Sequence, residues 1–101
     1  MNLKSLSDQV LLAETKDLVQ RERMLLTSIL HHLREVERRR LFSALGFSSL
    51  FEYSVSELKY SKDQAFRRIS AMRLLKELPE IEKKISSGAL SLTNLGLAQT
   101  L

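Results

Sequence analysis

No glycine or proline occurs between Met1 and Leu45, and the whole chain of 101 residues holds only three glycines and one proline. Glycine and proline are the residues that most readily end a helix, so a chain this poor in them is constrained toward long ones. The positions in between are filled largely by helix formers, and an all-α fold is expected. Leu11, Leu18 and Leu25 recur at intervals of seven, and Ile29, Leu33 and Val36 continue at spacings of four and three, which is one stripe on a helical surface. Ser7 is placed to cap the amide of Val10, and Asp8 suits the positive end of a helix, so the helix should begin near Asp8. Residues 1–45 thus read as an N-terminal helical arm, either one helix of about 50 Å or a hairpin folded back near Gln20 to Glu22.

Gly46 is the first expected stop, and residues 46–101 read as a small helical bundle. After Ser48 and Ser49, a short helix over 50–58 carries Phe51, Val55 and Leu58 at helical spacing. Lys59-Tyr60-Ser61 connects it to a helix over 62–75, capped by Ser61 and expected to bury Ala65, Ile69 and Met72 with help from Phe66 and Leu75. Pro79 suits the first turn of a helix over 80–86, which Gly88 ends, and Ser91 or Thr93 starts a last segment toward Leu101. Phe51, Tyr53, Tyr60 and Phe66 are assigned to core packing, since they alternate with Val55, Leu58 and Ile69.

Charge is spread unevenly. The first 58 residues hold eight basic and eight acidic side chains, whereas 59–84 hold eight basic against four acidic, so the whole formal charge of +4 lies in that stretch. Residues 85–101 carry no charged side chain, which suggests a buried segment, a partner surface or, as the preferred reading, a chain cut short. The sequence has no cysteine, hence neither disulfides nor thiolate metal sites, and it shows no signal peptide and no apolar run long enough for a membrane span. A cytoplasmic protein without cofactor, metal or small-molecule substrate is expected.

A short apolar helix followed by a tight connection and a longer basic helix is the layout of a helix-turn-helix. Lys62 and Gln64 stand near the start of the second helix, where side chains reach base edges; glutamine can pair with adenine, and Arg67 or Arg68 with guanine. Lys59 and Arg73 suit phosphate. The residues expected to contact double-stranded DNA are therefore Lys59, Lys62, Gln64, Arg67, Arg68 and Arg73.

Through this region the chain resembles a known family. The stretches Glu35-Val36-Glu37-Arg38-Arg39-Arg40, Gly46-Phe47-Ser48-Ser49-Leu50-Phe51-Glu52-Tyr53, Met72-Arg73-Leu74-Leu75-Lys76-Glu77-Leu78-Pro79-Glu80-Ile81 and Ile85-Ser86-Ser87-Gly88-Ala89-Leu90-Ser91-Leu92 together resemble the N-terminal region of bacterial His-Asn-His (HNH) endonuclease-like proteins. The resemblance implies a targeting region that precedes a metal-dependent nuclease domain and lacks catalysis of its own. It also implies a recognition helix around Ala65, Phe66, Arg67 and Arg68, without saying which of them touch bases.

Other readings of the same residues are structural. His31 and His32 are adjacent, so on a helix they point about 100° apart and do not by themselves hold one metal. Glu35 and Arg39, four apart, read as an exposed helix pair, and Ser48, Ser49 and Ser61 as caps rather than nucleophiles. The competing functional reading is a protein-interaction or dimerisation module in which Leu11, Leu18, Leu25, Ile29 and Leu33 make the main contact and a homodimer forms.

Overall fold

The computed structural model describes residues 2–93, and within them the fold is all-helical, as expected. A short 3-10 turn, Leu3–Ser5, precedes α1 (Asp8–Arg39), α2 (Leu41–Ala44), α3 (Leu50–Ser56), α4 (Lys62–Glu77) and α5 (Ile81–Ser87). The arm is one helix, not a hairpin. Ser7 accepts from the Val10 amide at 3.2 Å, with Asp8 in the first turn, and the helix then runs unbroken for 32 residues. At roughly 1.5 Å per residue it is about 48 Å long, and it sets the 50 Å length of the molecule.

The first stop falls before Gly46 and uses no glycine. Arg40 takes the left-handed conformation (φ 53°, ψ 39°), its amide donating to the carbonyls of Glu37 and Val36. A side chain there costs on the order of 1 kcal/mol. Arg40 lies over the ring of Phe42, 5.5 Å from its centroid, and Phe42 is buried in the core, which offsets part of that cost. Gly46 (φ 91°) ends the single turn of α2 instead.

Only the C-terminal half of α1 belongs to the core. Leu30 and Leu33 pack with Phe42, Leu50, Ile69, Met72, Leu75, Ile81 and Ile85, so α1, α4 and α5 share one apolar interior that crosses the expected boundary at residue 45. Polar contacts fasten α1 to α5 along this seam. The Gln20 side-chain amide donates to the Ser86 carbonyl at 3.0 Å, and His31 Nε2 lies 2.7 Å from Glu82 Oε1. Gly88 closes α5 in the left-handed conformation, and a Cβ there would stand 2.7 Å from Cζ of Arg23, whose guanidinium lies against it. The expected last segment after Ser91 falls mostly outside the described residues.

Leu12, Val19 and their neighbours show what the core leaves uncovered. Every residue from 8 to 19 is exposed. Leu11, Leu18 and Leu25 are 38%, 60% and 64% exposed on α1.

Candidate nucleic-acid interface

The connection between α3 and α4 is compact because several of its amides fold back on α3. The amides of Glu57 and Leu58 donate to the Tyr53 carbonyl and that of Tyr60 to the Ser54 carbonyl, which leaves Lys59 to make the reversal with φ 65°. Ser49 and Ser61 cap the two helices, as expected, whereas Ser48 does not cap and instead donates to Glu52. Around Ser49 the Glu52 carboxylate accepts from the amide and the hydroxyl of Ser48, and these bonds hold its pKa below the ordinary value. At Ser61 the capping is reciprocal: its hydroxyl accepts from the Gln64 amide at 3.1 Å while Oε1 of Gln64 accepts from the Ser61 amide at 3.0 Å.

That reciprocal cap changes what Gln64 offers. A glutamine that pairs with adenine uses its oxygen and its nitrogen together, and here the oxygen is already turned back on the helix end. Ser61-x-x-Gln64 is a capping-box spacing, and that signal was present in the sequence beside the base-reading one.

The arginines of α4 divide. Arg67 is exposed. Arg68, about 100° further round the helix, turns toward α1: its guanidinium sits 4.5 Å from the centroid of the Tyr60 ring, its Nη1 donates to the Gln64 carbonyl at 3.3 Å, and it lines a depression with Glu22, Arg23, Leu25, Leu26 and Ile29. Arg68 thus fastens α4 to the neighbouring elements rather than facing outward. Arg73 donates to Oε2 of Glu37 on α1 at 2.8 Å. What remain are Lys59, Lys62 and Arg67 around the first turns of α4, which are exposed and take part in no ion pair among the described residues.

Phe66 stands among them. It is 52% exposed, not part of the core, and Phe51 is exposed too, whereas Tyr53 and Tyr60 are half-buried. Tyr53 meets the Phe47 ring edge to face at 5.9 Å. Phe66 follows Lys62 by four residues, so the two exposed side chains share one side of the first turns of α4. The start of α4 thus carries exposed cations and an exposed apolar ring, with Glu57 and Asp63 the acidic residues nearest them in the chain and both exposed.

The residues expected to mediate pairing also divide. Leu11, Leu18 and Leu25 are exposed, Ile29 is half-buried, and Leu33 is 4% exposed and belongs to the chain's own core. Leu25, Ile29 and Val36 form the floor of an open groove of about 620 Å³ whose opposite wall is Tyr53, Leu58 and Tyr60. This groove could not be read from the sequence, because it depends on where α3 comes to rest beside α1.

The histidines serve the fold. His31 faces Glu82, and Nδ1 of His32 lies 2.7 Å from the Ser28 carbonyl one turn back. Among the described residues no group of three His, Cys, Asp or Glu side chains is arranged to hold a metal, and no helix is long and apolar enough to cross a membrane. Glu35 accepts from Arg38 at 2.9 and 2.5 Å and from Arg39 at 2.6 Å, which lowers its pKa to about 2 and raises that of Arg38. Those arginines are thereby paired on α1 itself.

Compared with models of protein families, with curated proteins and with solved structures, the chain matches none.

Proposed function

We propose that the chain is a DNA-binding module without catalytic chemistry of its own, in which α3, the Lys59 turn and α4 act as a helix-turn-helix and α1 supplies a surface for pairing with a second copy. In this reading it is a cytoplasmic targeting unit of the kind found at the N-terminus of HNH endonuclease-like proteins. The observation that carries it is that Lys59, Lys62 and Arg67, around the first turns of α4, are exposed and in no ion pair among the described residues. Cations at the N-terminal turns of an exposed helix, with the helix dipole adding to their field, favour phosphate. Phe66 between them supplies the apolar contact that a thymine methyl takes in a major groove.

The test is fluorescence anisotropy on mixed-sequence duplex at low salt. Lys62→Ala with Arg67→Ala should weaken binding at least tenfold, as the loss of two phosphate contacts implies, while Lys83→Ala with Lys84→Ala on α5 should change it little. Equal losses from both pairs, or no binding by the parent chain, would sink the DNA reading.

A second reading is favoured by the exposure of Leu11, Leu18 and Leu25. Leucines exposed in register along a helix suit a protein-interaction module, with the basic cluster incidental. A folded chain that self-associates and ignores DNA is its expected signature.

A further inference from the structure

We propose that two copies pair as an antiparallel, two-fold dimer in which the arm of each seats Leu11 and Leu18 in the groove of the other. This rests on the self-pairing of α1 put forward above and is independent of DNA binding. Continuity is the first argument. Leu11, Leu18, Leu25, Ile29 and Val36 follow one another at steps of seven, seven, four and seven, so the exposed stripe of the arm and the groove floor are one line along α1. Leu12 and Val19 lie roughly 100° away, on the line that continues into Leu26 and Leu30, and do not compete for that seat.

Charge selects the orientation. Residues 8–22 hold four acidic side chains (Asp8, Glu14, Asp17, Glu22) against two basic, a net −2; residues 23–40 hold five basic (Arg23, Arg34, Arg38, Arg39, Arg40) against two acidic, a net +3. An antiparallel pair lays the acidic half of each helix on the basic half of the other, whereas a parallel pair opposes like with like. Shape selects the same way. In a parallel pair arm would face arm and groove would face groove, so neither arm would be seated between α1 and the wall of Tyr53, Leu58 and Tyr60. Antiparallel, a register that sets Leu18 against Ser28 and Ile29 carries Leu11 to Val36 at the far end of the groove, and the two-fold axis repeats the contact. The exposed start of α1 supplies the need for cover, since an uncovered helical segment of about a dozen residues is marginal in water.

The chain has no native cysteine, so introduced thiols report the register directly. Leu18 and Ser28 both lie outside the chain's own core, so either single replacement should leave the chain helical by circular dichroism, with any loss of pairing read separately by sedimentation. An equimolar mixture of Leu18→Cys and Ser28→Cys chains should oxidise to a disulfide-linked dimer. Neither alone should, because like positions lie about 15 Å apart along the axis, beyond the roughly 7 Å reach of a disulfide between Cα atoms. Cross-linking of Leu18→Cys alone as readily as of the mixture, or a dimer by sedimentation that cross-links in neither case, overturns the groove seat while leaving arm pairing intact. A monomer at high micromolar concentration overturns both, and the duplex titration stands or falls separately.

Discussion

Raising the salt from 50 to 200 mM should weaken duplex binding by about 40-fold, a figure that follows from which cations the fold leaves free. Each phosphate neutralised contributes a slope of about −0.9 to log affinity against log salt. Lys59, Lys62 and Arg67 are unpaired, Arg68 is turned toward Tyr60 and Arg73 is held by Glu37, so three contacts give a slope of about −2.7. A chain using Lys59, Arg67, Arg68 and Arg73 would instead show about −3.6, close to a 150-fold loss over the same range. Lys62→Ala with Arg67→Ala should leave a slope of about −0.9 and only a three- to fourfold salt effect. The informative variant is Glu37→Gln, which removes the carboxylate that holds Arg73. It should move the slope from about −2.7 toward −3.6 without touching α4 itself. Anisotropy at four salt concentrations measures all three proteins. A parent slope that the double variant leaves unchanged, or a Glu37→Gln slope equal to the parent's with Arg73→Ala also silent, would refute the assignment of these cations.

Lys59→Gly should stabilise the chain by about 0.5–1 kcal/mol in urea melts, because the left-handed turn no longer carries a side chain, while lowering the salt slope by about 0.9. Gly88→Ala should destabilise by about 1–2 kcal/mol through its left-handed backbone. Arg23 ends in a flexible guanidinium that can swing aside, so the cost should be the same within about 0.5 kcal/mol in an Arg23→Ala background, as a double-mutant cycle would show. Glu35, with a folded pKa of about 2, binds its proton less readily folded than unfolded. Its stabilising contribution should be complete above its ordinary value of about 4.3 and fade as the pH falls through 2; carbon-detected titration of the Glu35 carboxyl should show the low midpoint, and Glu35→Gln should flatten the stability loss across that window.

The features legible in the sequence are those set by local chemistry. Ser7, Ser49 and Ser61 cap where their hydroxyls can reach an amide three residues on, Gly88 closes α5, and the poverty of helix breakers yields the all-helical fold. The illegible ones depend on neighbours distant in sequence. Arg40 ends α1 without glycine because buried Phe42 gives its guanidinium a ring to lie on. Phe66 lies outside the core because the buried face of α4 is already filled by Ala65, Ile69, Met72 and Leu75. Arg67 and Arg68 looked equivalent as a dipeptide, yet their separation round the helix sends one outward and the other toward α1. Leu33 carries the same spacing signal as Ile29, yet it is a member of the core while Ile29 packs half-buried at its margin.

The single unbroken α1 is also a gradient of protection against hydrogen exchange. Amides near Leu30 and Leu33 sit beneath the apolar core and should exchange only through global unfolding, whereas those from 8 to 19 have no tertiary cover in the isolated chain and should open by fraying. One continuous set of backbone hydrogen bonds therefore spans nearly the whole range of opening free energies in the molecule. Whatever covers the first three turns of α1 acts on that gradient, by shifting the point at which the helix frays toward its own N-terminus.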